Sequence, residues 1–327
     1  MKVLVPYSDS LVEIIKNLIG DEAEIVQSEG TVESMLEKGG DAEILLSGRV
    51  SGDFIRKASK LRMIQSFGAG IDKIDLDAVR ERDDLIVCNS HVNSAEVAEY
   101  TISLLFAAAK NIIPSDRELR AGNWVHRWGG PTRNLEIRGK KVLIIGLGHI
   151  GADIAKRLKS SDVEIIAATF SGGSRNADLV DKVVKINDIR PHVEESDFVI
   201  LSLPLTSESK GLVDREFLTW MKPTSILVNI SRGQIVDELA LYEALKEKRI
   251  HSAALDVWWR YPTEWRGVVI PPSDIPFHEL DNIVMSPHRA ADSENIRDDF
   301  NRFVCENILR FIRGETPHNI IDPERGY

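Results

Sequence analysis

Lys141-Val-Leu-Ile-Ile-Gly-Leu-Gly-His-Ile-Gly151 decides how this chain folds. Val142 to Ile145 is a short, wholly apolar run, the mark of a buried strand. Gly146, Gly148 and Gly151 follow at once, and Ile150, Ile154, Ala155 and Leu158 then recur at helical spacing. Glycines placed this way permit a tight turn, close approach of backbone to a pyrophosphate and close packing of helix on strand. The helix N-terminus then faces the anion with its unpaired amides. The six-residue pattern alone would also suit an ordinary strand-to-helix turn. Its strand-loop-helix setting favours dinucleotide binding by Gly146, Gly148, His149, Ile150 and Gly151.

Downstream, the strand expected from Val163 to Ala168 ends at Thr169-Phe-Ser171, where a dinucleotide protein usually places an acidic residue on the adenosine ribose. With no carboxylate there to repel a 2′-phosphate, Thr169, Ser171, Ser174 and Arg175 favour NADPH, or tolerance of both NADP and NAD. The alternative is that Arg175 is a solvated loop residue. Further strands are expected at Phe198 to Leu201, Ile226 to Asn229 and Ala253 to Val257. Upstream, Val3 to Val5, Ile44 to Leu46, Met63-Ile64 and Leu85 to Val87 alternate with amphipathic stretches, so the chain reads as α/β with parallel sheets. A long helix is expected from Ser94 to Lys110, ending before Pro114. Arg120 to Pro131 is polar, aromatic and turn-rich and reads as an arm. After Ser286 one long helical pattern is expected, with Ile296, Phe300, Phe303, Val304, Ile308 and Ile312 on a common face. That helix either returns to the first α/β unit or simply extends the second.

A chain of 327 residues, 43% hydrophobic and 28% charged, has material for about two domains. The net charge of −10 and pI near 5.4 argue against nucleic-acid binding, and an anionic substrate would need locally placed arginines. No segment approaches the roughly 18 apolar residues of a membrane span, and Met1 to Pro6 is too brief for a secretory signal, so a cytoplasmic protein is expected. Cys88 and Cys305 have no spacing that suggests a metal site, and they are expected as reduced, buried thiols.

The order of motifs resembles the D-isomer-specific 2-hydroxyacid dehydrogenases over most of the chain. The matching pieces are Ser66-Phe-Gly-Ala-Gly-Ile-Asp72, Asn93-Ser-Ala-Glu-Val-Ala-Glu99, the Gly146 to Gly151 loop, Pro204-Leu-Thr206, Asn229-Ile-Ser-Arg-Gly-Gln-Ile-Val-Asp237, Ala254-Leu-Asp-Val257 and Ser286-Pro-His288. The resemblance implies two Rossmann-like or flavodoxin-like domains: a discontinuous substrate domain (1–95 and 292–327) clasping an inserted NAD(P)-binding domain (96–291), with the active site in the cleft. It implies hydride transfer between a nicotinamide and a small 2-hydroxy or 2-keto acid. It also implies a homodimer, for which Trp124 and Trp128 would be interface anchors unless they pack within their own subunit.

By the same resemblance Arg232 grips the substrate carboxylate and carbonyl oxygen, as a planar, permanently charged fork suits. His288 gives the proton in reduction and takes it in oxidation. The other histidines get a structural reading. Backbone amides near Ala69 and Gly70 form a second carboxylate grip, and Asn93 lies at a substrate position without deciding the substrate. Asp256 orients the nicotinamide carboxamide, with Ile230, Leu203 and Pro204 nearby on the cofactor.

One position departs from the family pattern. Five residues after Asp256 the hydroxyacid enzymes usually carry a glutamate that supports the histidine; here Tyr261 stands there. A phenol can orient imidazole but does not stabilise imidazolium as a carboxylate does. Glu264 and Glu279 are candidate substitutes. Formate dehydrogenases also lack that glutamate, so formate-like chemistry is the runner-up, and a cofactor-sensing binding protein is the alternative from another class. Phe67, Trp258, Trp259, Tyr261 and Trp265 are the aromatics expected to shape the pocket. If Trp258 or Tyr261 projects into the cleft, a small acid such as glyoxylate or hydroxypyruvate is favoured.

Overall fold

Every pair of neighbouring strands among the described residues runs parallel. The structure is a computed structural model and describes residues 1–262 and 269–327. It divides into two compact units, Met1–Asn93 with Ser293–Tyr327, and Ser94–Asp292.

The first unit holds β1 (Lys2–Val5), β2 (Glu24–Gln27), β3 (Ile44–Leu46), β4 (Met63–Gln65) and β5 (Ile86–Cys88) in the order β2-β1-β3-β4-β5. Between them run α1 (Asp9–Ile19), α2 (Val32–Gly39), α3 (Gly52–Lys57) and α4 (Leu76–Arg80). Thr31, Ser51 and Asp75 cap the last three by accepting the amides of Ser34, Phe54 and Ala78. Side chains alternate across the strands with period two. Val3, Val5, Ile44, Leu46, Met63 and Cys88 lie in one cluster with α1, whereas Leu4, Leu45, Ile64 and Val87 lie in another with α2, α3 and α4.

The second unit opens with α5 (Ser94–Ala109) and α6 (Ile112–Arg120). Its strands are β6 (Lys141–Ile145), β7 (Glu164–Thr169), β8 (Lys182–Lys185), β9 (Phe198–Leu201), β10 (Ile226–Asn229), β11 (Ser252–Leu255) and β12 (Ile283–Met285). They are ordered β12-β11-β10-β9-β6-β7-β8. This is a doubly wound sheet that changes direction between β6 and β9, the place where such sheets bind ligands beyond their strand ends. Helices α7 (His149–Leu158), α8 (Arg190–Glu195), α9 (Arg215–Trp220) and α10 (Glu238–Lys246) complete its layers. Val142, Ile144, Phe198, Ile200 and Val228 pack with α5 and α7, and Leu143, Ile145, Val199, Leu201 and Leu227 with α8 to α10. Beyond this unit, α11 (Ile296–Ile312) returns to the first and sets Val304, Cys305 and Ile308 against its β1 face.

The long helix ends at Ala109, before Pro114 as expected, but a second, unanticipated one follows it: Asn111 turns left-handed at φ 51° and α6 starts directly after it. Pro114 falls in the first turn of α6, where its missing N–H has no intrahelical partner to lose. One expectation needs correction: the segment from Ser286 is not helical throughout. Residues 286–295 form a loop, since the amides of Arg289 and Ala290 bond to the Asp256 carboxylate instead of to a helical ladder.

Candidate active site

The phosphate loop shows why each glycine is there. Gly146 has φ 99°, and a Cβ on it would lie 2.6 Å from the Ser202 carbonyl oxygen at the end of β9. A Cβ on Gly151 would lie 2.1 Å from the Gly146 oxygen, so α7 starts hard against the end of β6. Gly148, at the N-cap of α7, would meet no protein atom within 4 Å. Protein packing therefore does not require a glycine at 148, whereas a phosphate lying against the backbone does. This is the cradle a dinucleotide needs. Leu203 and Ile230 are buried at the ends of β9 and β10, and the Ser202 hydroxyl donates to the Gly146 carbonyl at 2.7 Å.

The loop after β7 folds over that cradle. Ser174 Oγ donates to the Leu147 carbonyl at 2.9 Å, and Asn176 Nδ2 donates to the same oxygen at 3.2 Å. Thr169 and Ser171 both donate to the Gly173 carbonyl, at 3.1 and 3.0 Å. The three hydroxyls are thus engaged with backbone carbonyls, and Arg175 is the exposed cation of this loop. Arg175 Nη2 donates to His149 Nε2 at 2.7 Å. Burial first, and then the Arg175 charge, hold His149 below the ordinary histidine value. Asn176, which ties the two loops together, was not anticipated from the sequence.

Arg232 follows β10 on a turn fixed by Asn229. That side chain accepts from the Ser231 amide at 3.0 Å and donates to the Arg232 carbonyl at 2.9 Å. Arg232 Nη1 donates to the Ser231 carbonyl at 2.8 Å. A Cβ on Gly233 would lie 2.5 Å from the Trp258 carbonyl, so this turn presses on the chain leading to Tyr261. The Tyr261 hydroxyl accepts from the Trp258 amide at 3.1 Å and lies 2.9 Å from His288 Nδ1. Tyrosine thus stands on the imidazole where the sequence pattern leads one to look for glutamate.

Asp256 is 1% exposed and spends its carboxylate on the loop that carries His288. Oδ1 accepts from Ser286 Oγ at 2.5 Å and from the Arg289 amide at 2.9 Å; Oδ2 accepts from the Ala290 amide at 2.9 Å. Trp258 and Trp259 do not line an open pocket. Trp258 is 3% exposed with Nε1 on the Ser286 carbonyl, while Trp259 donates to the Val236 carbonyl and stacks on Phe277. Indole rings with a buried N–H need such partners, which draws both rings into the core. Glu279 is exposed on the turn entering β12, at the opposite end of that strand from His288, and so does not replace the missing glutamate. Glu264 and Trp265 lie outside the described residues.

In the first unit, Ala69 and Gly70 sit on the loop after β4, at the C-terminal edge of a parallel sheet. Asn89 Nδ2 donates to the Ala69 carbonyl at 2.9 Å and pins that loop, a role without any local signal in the sequence. Among the described residues the Ala69 and Gly70 amides make no backbone hydrogen bond. The buried Oδ1 of Asn93 likewise has no partner among them. Phe67 packs edge-on against Tyr7, with ring centroids 5.4 Å apart.

Residues 102–290 match the family described as D-isomer specific 2-hydroxyacid dehydrogenase, NAD binding domain. The chain is 35% identical over 326 residues to D-3-phosphoglycerate dehydrogenase of Methanocaldococcus jannaschii, a match covering 98% of this chain and 59% of that protein's length. It is 36% identical over 283 residues to glyoxylate reductase of Korarchaeum cryptofilum, covering 86% of this chain and 82% of that one. Among solved structures it resembles an acyclic imino acid reductase in complex with NADPH and D-Arg, with TM-score 0.82, 26% identity and coverage of 98% and 100%. It also resembles an NADPH-dependent glyoxylate/hydroxypyruvate reductase from Sinorhizobium meliloti in complex with NADP and malonate, with TM-score 0.79, 25% identity and coverage of 98% and 97%.

Proposed function

The chain belongs to the D-isomer-specific 2-hydroxyacid dehydrogenases, an oxidoreductase family, and from that premise we propose that it reduces a small 2-keto acid, glyoxylate or hydroxypyruvate, with NADPH. The observation that supports this most is the imidazole of His288 held through Nδ1 by the Tyr261 hydroxyl, beside a cofactor-type sheet end. A nicotinamide cofactor held by the Gly146 to Gly151 loop and the ends of β9 and β10 would supply a hydride to the substrate C2. As it arrives, negative charge grows on the former carbonyl oxygen, and His288 gives that oxygen a proton. The proton leaves from Nε2, so Nδ1 keeps its hydrogen before and after the transfer and donates it to the Tyr261 oxygen, which holds the ring in both states. Arg232 grips the carboxylate and stabilises the developing alkoxide. In the first unit we assign the amides of Ala69 and Gly70 to the carboxylate, with Asn93 as a further polar contact to substrate.

NADPH preference rests on Arg175 and on the absence of a carboxylate at the end of β7. Relatives named glyoxylate reductase support the substrate class. Trp128 and Trp124, 99% and 68% exposed on the segment after α6, support a homodimer built on that arm, which light scattering would test.

The deciding assay follows NADPH and NADH oxidation with glyoxylate, hydroxypyruvate and pyruvate, and cofactor reduction with formate and with 3-phosphoglycerate, using wild type and His288→Ala. Keto-acid turnover with NADPH, lowered roughly 100- to 10,000-fold in the variant, is expected for a lost proton donor. Turnover confined to formate or 3-phosphoglycerate would overturn the substrate assignment. Cofactor binding without turnover of any acid would favour a sensor.

A further inference from the structure

His288 has φ 55°, a left-handed backbone conformation uncommon for a residue with a side chain. Such a conformation persists only where its surroundings over-determine it. They do so here. The Asp256 carboxylate holds both ends of the loop from Ser286 to Ala290, with His288 between them. Ser286 is fixed in addition through its amide to the Leu255 carbonyl at 2.9 Å and through its own carbonyl to Trp258 Nε1 at 2.8 Å.

One further contact reaches this loop from a helix. Tyr100 Oη on α5 lies 2.8 Å from Ser286 Oγ. A serine hydroxyl has a single proton, and that of Ser286 goes to the Asp256 carboxylate, which can only accept. The Tyr100 hydroxyl is therefore the donor, and the chain runs in one direction: Tyr100 to Ser286 to Asp256. Hydrogen bonds aligned in this way polarise one another, and the buried carboxylate at the end fixes their sense. Tyr100 itself is partly buried and packs against the apolar cluster that covers the β6 sheet.

We propose that Tyr100 is a positioning residue for His288, acting through Ser286 to hold the loop that presents the imidazole. The proposal rests on the reading of His288 as proton donor. Tyr100 need not touch substrate or cofactor in this role. Its loss should leave binding alone and disturb the geometry of proton transfer, where displacement of about 1 Å from a remote change can cost roughly 100-fold.

The test compares wild type, Tyr100→Phe, Ser286→Ala and the double variant. Tyr100→Phe keeps the ring and removes one oxygen. We expect kcat for keto-acid reduction to fall about tenfold while KM and the NADPH Kd from fluorescence titration stay within roughly twofold. The double variant should lose little more than Ser286→Ala alone, because both changes cut one chain. In parallel, the His288 ring nitrogen signals, assigned by their absence in His288→Gln, should shift or broaden in Tyr100→Phe. A wild-type kcat together with unchanged His288 signals would overturn the proposal, as would additive losses in the double variant. If wild type turns over no keto acid, the functional reading fails, and the His288 signals still decide whether Tyr100 positions the ring.

Discussion

The hydroxyl of Tyr261 and Nδ1 of His288 share one hydrogen bond, so changes at Tyr261 should be read in the pH profile before they are read in affinity. Tyr261→Glu places a carboxylate on the imidazole and favours its charged form. The protonated donor then survives to higher pH, and the alkaline limb of keto-acid reduction should move upward; an unmoved profile would remove Tyr261 from proton transfer. The thiols make the opposite case. Burial pushes both Cys88 and Cys305 up to about 12, opposed at Cys88 by a hydrogen bond with Asn307. Neither should react with a disulfide reagent at pH 8 until the protein is denatured, because the thiolate is the nucleophile. Arg232 and His288 could be singled out from the sequence because each sits just beyond a strand end inside a motif, and Tyr261 because it stands five residues after Asp256 where the family pattern has glutamate. Tyr100 and Asn89 could not. Tyr100 meets Ser286 186 positions away, and a pairing of that kind exists only once the sheet has formed.

Among the elements, the turn from β6 into α7 has the least tolerance. Gly151→Ala should cost about 1–3 kcal/mol by overpacking the Gly146 carbonyl and should abolish cofactor binding, which thermal melts and NADPH titration would show. The loop after β7 is tunable by comparison. Arg175→Ala is expected to weaken NADPH roughly tenfold and leave NADH nearly unchanged, since the role proposed above gives the guanidinium to the 2′-phosphate alone. His149 should add no pH dependence to that preference above neutrality, as its depressed value keeps it uncharged there. Strands were legible or hidden according to how apolar their place in a sheet makes them, so the edge strand β5, with Val87 and Cys88 buried, was still legible. Buried β1, β3, β6, β9 and β10 are apolar runs plain in the sequence. The hidden strands β2, β8 and β12 are edge strands, partly exposed, whose polar positions dilute the apolar signal.

At the scale of the whole molecule, the two units differ in how the chain supplies them. Ser94–Asp292 is continuous and encloses its own two apolar layers, so residues 94–292 alone should fold and bind NADPH. The first unit depends on α11. A chain ending at residue 292 should retain the emission of its tryptophans, all of which precede that residue in the sequence, while amides of β1, β3 and β4 lose protection from hydrogen exchange. Retained protection there would show that α11 is dispensable. The return of α11 also has a consequence in time. Synthesis from the N-terminus makes the face bearing Val3, Val5, Ile44, Leu46 and Met63 early, with α1 to cover part of it, yet α11, the other helix on that face, emerges about two hundred residues later, roughly 10–40 s at ribosomal speed. The unit begun first is finished last, and through that interval the nascent chain carries an apolar surface on which chaperones can act.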